Sequence, residues 1–204
     1  MKLYYIPFAC SQAIHILLHE LNMSYQLVAV DPATKVAADG ENYLDINPNG
    51  YVPSLVTDNG DIISEVPAIM QYLVGISPDS ALAIDRELIA TTQLQSLLNF
   101  LSSELHKAFV PYWYQSDLSG KEREEAYLKL AKRMKYIETL LVDGRPFLMG
   151  DDYSIADIYA FVLVSWCEFH DIDLNAWPQI ADFYKRLASR SSVNHVVTLE
   201  GTLS

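Results

Sequence analysis

The sequence predicts an α/β unit over residues 1–80 followed by an all-α unit over residues 86–204. Three observations carry that prediction. Strand-like and helix-like patterns alternate through the first third of the chain. Residues 76–85, ISPDSALAID, combine Pro, Ser and Asp with little periodicity and read as a linker. Beyond them, every clear pattern has helical spacing.

Taken in order, KLYYI reads as a strand. Ser11 is then a possible N-cap before Ile14, Leu17, Leu18 and Leu21, which follow the i, i+3, i+4, i+7 spacing of an amphipathic helix. YQLVAV is a second strand. After a polar stretch, VPSLVT and DIIS flank Asp58, Asn59 and Gly60, the turn chemistry of a hairpin. EVPAIMQYLV closes the unit as a helix. The order β-α-β, an irregular connection, then β-β-α requires a mixed sheet covered by helices. Within it, Pro53 enters a strand where its missing N–H breaks a ladder, so Val52-Pro53-Ser54 implies a bend, an edge or a cis bond.

The clearest later helices are Ala90–Tyr114, Lys121–Val142, Ile155–Phe169 and Pro178–Ser189. Ser154 and Asp157 have the spacing of a capping box, in which each side chain satisfies the other's backbone N–H. The almost wholly apolar helix after them is the expected core of a bundle, and Cys167 on it reads as a core residue. In TTQLQSLLNFLSSELHKAF, Leu94, Leu97, Leu98, Leu101 and Leu105 form one stripe. At about 100° per residue, Asn99, Ser103 and His106 share the opposite face with Lys107 beside them.

Half of the 204 residues are hydrophobic, so a folded globule with a sizeable core is expected. The formal charge is 14 − 26 = −12, and no long basic run exists to meet nucleic acid or an anionic membrane. Cys10 and Cys167 lie far apart without a CxxC pair, which suits thiols in a reducing compartment. Only Lys2 precedes the first strand, with no uninterrupted apolar signal segment, so a cytoplasmic location is expected.

Cys10 is the prime candidate for chemistry. It sits in YYIPFACS at a strand-to-helix turn, where backbone N–H groups favour negative charge and hence a thiolate. Tyr5 and Ser11 are rival activators, although Tyr5 lies in a strand and Ser11 reads as a cap. His15 and His19 have the i, i+4 spacing of a metal pair but no third ligand, so no metal site is expected. Tyr112, Trp113 and Tyr114 suit either an apolar acceptor pocket or core packing.

YYIPFACS, NPNGYVPSL, SEVPAIMQYL, NFLSSELHKAF and YSIADIYAF, in this order over nearly the whole chain, resemble the bacterial (beta-class) glutathione transferases. The resemblance implies a thioredoxin-like βαβαββα domain, an all-helical domain contributing the hydrophobic substrate site, a homodimer, and glutathione in the cleft between domains. By that resemblance Cys10 is the active-site cysteine and His106 its partner. Val52, before the cis-proline Pro53, pairs with the cysteinyl part of glutathione, and Glu65 and Val66 form the turn for the γ-glutamyl group. Lys35, Asn99 and Lys107 match further polar contacts, Leu105 is a further glutathione-binding residue, and Ser103 and Glu104 fall where the family places contacts from the neighbouring subunit.

Some residues depart from the family pattern. Val66 and Pro67 stand where Gly and Val are usual, Phe8 where Gly is usual, and Asn49 and Tyr51 where Lys and Gln are common. Phe8 and Tyr51 flank the expected pocket. The activity implied is attack of the glutathione thiolate on a hydrophobic electrophile. The alternatives are a glutathione-dependent disulfide reductase or peroxidase using Cys10, and a non-catalytic binding protein on the same fold.

Overall fold

Leu3, Tyr4 and Tyr5 are all buried, and because successive side chains point to opposite faces this commits the first strand to the centre of a sheet covered on both sides. The computed structural model describes residues 1–82, 87–114 and 118–203; residues 83–85 of the expected linker lie outside the described residues. The chain divides into two units, Met1–Ile84 with Ser189–Ser204, and Asp85–Ala188. Residues 189–204, assigned by sequence to the helical unit, thus belong with the first.

In the first unit β1 (Lys2–Tyr5) leads to α1 (Gln12–Glu20), β2 (Gln26–Ala29), the short α2 (Tyr43–Ile46), β3 (Ser54–Val56), β4 (Ile62–Ser64) and α3 (Val66–Gly75). The sheet order is β2-β1-β3-β4. β1 runs parallel to β2, with Leu3 opposite Leu27, and antiparallel to β3, with Leu3 opposite Leu55. This is the expected mixed sheet. One apolar cluster comprises Tyr4, Val28, Val30, Ala37 and Tyr43, with Val52 packed against it. Ile14, Leu17 and Leu18 of α1 and Ile69, Met70 and Leu73 of α3 are wholly buried as well.

The helical unit contains α4 (Leu88–Phe100), a π-helical turn (Leu101–Leu105), α5 (His106–Ala108), α6 (Val110–Tyr114), α7 (Gly120–Leu141), α8 (Ile155–Phe169), a 3-10 turn (Leu174–Ala176) and α9 (Pro178–Ala188). The single helix expected over 90–114 is therefore interrupted. α8 is buried on nearly every side, as its composition predicts. Its capping box is present: Ser154 donates its N–H and its hydroxyl to Asp157 Oδ2 at 2.8 and 2.7 Å. Oδ1 accepts the N–H of Leu148 at 2.7 Å. Burial pushes the Asp157 carboxyl up to about 6, against the pull of those donors. The carboxylate of Glu138 on α7 supplies a start for α9 by accepting from the N–H groups of Gln179 and Ile180.

The last helix, α10 (Ser191–Leu203), packs on α1 in the first unit. Its anchor is Glu200, wholly buried, which accepts from the Phe8 N–H at 2.8 Å and the Gln12 amide at 2.9 Å and lies 2.8 Å from His15 Nδ1. Arg190 and Ser192 both donate to Glu20 at the end of α1.

Candidate active site

Cys10 ends the turn between β1 and α1 and is 9 % exposed. Phe8, two residues before it, has φ 58°, the left-handed conformation that glycine adopts without cost and other residues at roughly 1–2 kcal/mol. This explains why a glycine suits that position. The Phe8 N–H bond to Glu200 holds the turn from beneath. Ser11 is not a side-chain cap: its hydroxyl donates to the Ile6 carbonyl at 3.0 Å and accepts from the Ile6 N–H at 3.2 Å. Its one proton is spent on the turn, which argues against Ser11 as an activator. Tyr5 is buried in the core, as its strand position predicts.

The Cys10 thiol donates to the carbonyl of Val52 at 3.3 Å. The Val52-Pro53 peptide bond is cis. Side chains grip the whole approach to it. Lys35 Nζ donates to the Gly50 carbonyl at 3.1 Å, and Tyr43 and Asn47 donate to the Tyr51 carbonyl at 2.7 and 2.8 Å. Consecutive carbonyls at 50, 51 and 52 are thus each fixed by a side chain of the same unit. Tyr51 itself is 67 % exposed.

Glu65 has φ 73° and immediately precedes α3, while the Val66 side chain is buried at the first helical position. Glu65 is exposed, leaving its carboxylate in solvent at the helix start. Sequence reasoning missed Tyr43, Asn47 and Glu200 as supports of these segments. For Tyr43 and Asn47, the signal was a polar pair bracketing the four-residue helix before NPNGYVP.

In the helical unit the wheel drawn from sequence needs correction. The π-helical turn over 101–105 adds backbone before His106 and rotates it away from Asn99 and Ser103. The hydroxyls of Ser102 and Ser103 both donate to the Asn99 carbonyl, local bonds that divert it from the regular ladder. Asn99, Ser103 and Lys107 remain exposed, but His106 turns inward. Its Nδ1 lies 3.0 Å from the Tyr159 hydroxyl, and its ring meets Trp166 edge-on at 4.9 Å. Burial, with the Lys107 ammonium beside it, pushes His106 down to about 4. At neutral pH it is an uncharged imidazole and offers no positive charge to a thiolate.

Leu105 is wholly buried, so its side chain belongs to the core rather than to a ligand surface. Glu104 is held by a two-nitrogen contact from Arg133. Burial pushes the Cys167 thiol up to about 12, which makes it an inert core group as expected. Trp113 and Tyr114 are exposed, and Trp113 meets Trp166 edge-on at 5.6 Å. His15 is engaged with Glu200, and His19 stacks on His195 at 4.3 Å. No helix among the described residues is long and apolar enough to cross a membrane.

Known proteins resemble this chain in sequence and in fold. Residues 9–74 match the model of the glutathione S-transferase N-terminal domain, and residues 100–191 that of the C-terminal domain. The glutathione S-transferase GstA of Escherichia coli O157:H7 is 35 % identical, over 98 % of this chain and 99 % of its own. A beta-class glutathione S-transferase of Sphingomonas chungbukensis superposes with a TM-score of 0.92 at 37 % identity, covering 98 % of this chain and 99 % of the other. A sphingomonad glutathione S-transferase complexed with glutathione gives a TM-score of 0.92 at 35 % identity and the same coverages. With both domain models matched and near-complete overlap in sequence and in space, the chain belongs to the glutathione S-transferase family.

Proposed function

We propose that this protein binds glutathione on the segment 50–53 and the start of α3, and promotes attack of its thiolate on a hydrophobic electrophile. The observation that carries the reading is the Cys10 thiol set 3.3 Å from the Val52 carbonyl, beside a cis-proline on a main chain braced at three successive carbonyls. A backbone held in this way is preorganised to pair with an extended peptide, and a tripeptide thiol paired there brings its sulfur to Cys10.

In this reading Val52 and Pro53 receive the cysteinyl part. Glu65 takes the ammonium of the γ-glutamyl group, and the main chain at Val66, opening α3, takes its carboxylate. Lys35, already drawn to the Gly50 carbonyl, supplies positive charge for the glycyl carboxylate. The helical unit contributes His106 as a neutral N–H donor, with Asn99, Lys107 and the Leu105 main chain as polar contacts and Ser103 and Glu104 serving the neighbouring subunit. The thiolate sulfur forms a bond to carbon as the leaving group departs with its electron pair. Binding both reactants in one place lowers the entropic part of the barrier.

The protein acts as a homodimer, a reading supported by exposed Leu88, Ile89, Leu128 and Tyr136 on the helical unit. It works in the cytoplasm, where glutathione is kept reduced. The purified protein is expected to be retained on immobilised glutathione and to conjugate at least one member of a panel of aryl halides and epoxides. Cys10→Ala should weaken conjugation and abolish disulfide reductase activity. No retention, or full retention of both activities in Cys10→Ala, overturns the reading. Sedimentation at the mass of a single chain would refute the dimer.

A further inference from the structure

His106 owes its inward position to three independent features of the helical unit. The π-helical turn ends at Leu105, so the chain carries extra backbone where His106 begins the next turn. The Trp166 ring meets the imidazole edge-on, 4.9 Å between centroids and 72° between planes, and fixes its plane. Tyr159, 1 % exposed and two residues beyond the capping Asp157 on α8, places its hydroxyl 3.0 Å from Nδ1.

An uncharged imidazole has one N–H and one lone pair, and the bond made by one nitrogen decides which proton the other carries. Between a phenol and an imidazole the phenol is the better acid and the imidazole nitrogen the better base. The favoured direction is therefore O–H to Nδ1. The proton then resides on Nε2.

We propose that Tyr159 is a positioning residue, which locks His106 in the Nε2–H tautomer so that it acts as a fixed hydrogen-bond donor rather than as a base. This inference deepens the functional reading above and rests on its assignment of His106. The position of His106 near 4 agrees with it, because the ring stays uncharged wherever a thiolate exists to be stabilised. A donor fixed before the reaction costs no reorganisation as charge gathers on sulfur.

Long-range nitrogen–proton correlation spectra of the full chain, labelled with 15N-histidine, read the tautomer directly, and the signal lost in His106→Gln assigns the ring. We expect Nε2–H in the wild type and a mixture of tautomers in Tyr159→Phe. A wild-type ring carrying its proton on Nδ1 overturns the proposal without any reference to activity, and it does so even if Tyr159→Phe fails to fold. In conjugation assays Tyr159→Phe should lower kcat about tenfold with the KM for glutathione within about twofold. An unchanged kcat beside an altered tautomer would refute the positioning role. A wild type with the expected tautomer but no conjugation of any electrophile would instead refute the proposed function and leave the tautomer assignment standing.

Discussion

The hydroxyl of Tyr43 donates to the carbonyl of Tyr51 at 2.7 Å, and this single proton sets the direction of a chain of hydroxyls. Tyr43 has no second proton to give, so Ser54, 2.8 Å away, must donate to it. Ser64, 3.4 Å from Ser54 on the neighbouring strand, donates in turn to Ser54. A relay that begins on β4 thus ends on the main chain immediately before Val52. Tyr43→Phe removes its last hydroxyl and leaves the Tyr51 carbonyl to Asn47 alone among the bonds described. The expected result is a KM for glutathione raised roughly three- to tenfold, with kcat nearly unchanged and stability lowered by roughly 1 kcal/mol. Steady-state kinetics with varied glutathione checks it, and an unaltered KM would show that the relay serves folding only.

The two thiols should differ sharply in reactivity. Cys10 keeps 9 % of its surface exposed, whereas Cys167 is wholly buried with its thiol pushed up to about 12. Iodoacetamide at neutral pH should label Cys10 in the native protein and reach Cys167 only after denaturant unfolds it. Peptide mass mapping of a time course distinguishes them. Equal native labelling would contradict the burial described for α8.

Glu200 accepts two donors and lies against His15 with no exposed surface. Removing one partner of a buried charged network leaves the others unsatisfied, so Glu200→Ala should lose roughly 3–5 kcal/mol of stability. Glu200→Gln should lose less, since its carbonyl oxygen still accepts the Phe8 N–H. Urea midpoints of the two variants give the comparison. Identical midpoints would mean that the Phe8 bond contributes nothing.

Asp157 makes stability depend on pH in a defined direction. Its folded carboxyl is raised from 3.8 to about 6 by burial, so the native state holds the proton more tightly than the unfolded chain does. Its contribution is complete below about pH 4 and falls as the pH rises through about 6. Asp157→Asn should flatten that segment of the stability–pH curve, as read from urea unfolding at successive pH values. Asp157→Ala, which strands the N–H groups of Leu148 and Ser154, should lose roughly 2–4 kcal/mol at every pH tested. An unchanged slope in the Asn variant would remove Asp157 as its source.

Local chemistry was legible in the sequence wherever it acts over short distances. The strand pattern of KLYYI, the hairpin residues Asp58, Asn59 and Gly60, the Val52-Pro53 irregularity and the Ser154–Asp157 spacing each announce what the fold contains. The π-helical turn escaped because a wheel assumes one fixed angle per residue, and an extra residue in Leu101–Leu105 is invisible to it. For that reason the exposed face seen in Asn99, Ser103 and His106 split, and the imidazole found Tyr159 instead. α10 escaped for a different reason. SSVNHVVTLEGTL has weak amphipathic patterning, and only its contact with α1 shows where it belongs. Phe8 lies between the two cases: the turn was expected, but its left-handed backbone and its acceptor were not.

The acceptor of the Phe8 N–H lies 192 positions further along the chain. During synthesis the loop that carries Cys10 therefore emerges from the ribosome almost first and gains its buried anchor almost last. Until α10 is made, the sheet can assemble around β1 while the reactive turn still lacks its support. A chain released early, short of Glu200, would have the strands, the cysteine and the proline of this site without the carboxylate that accepts from Phe8 and Gln12.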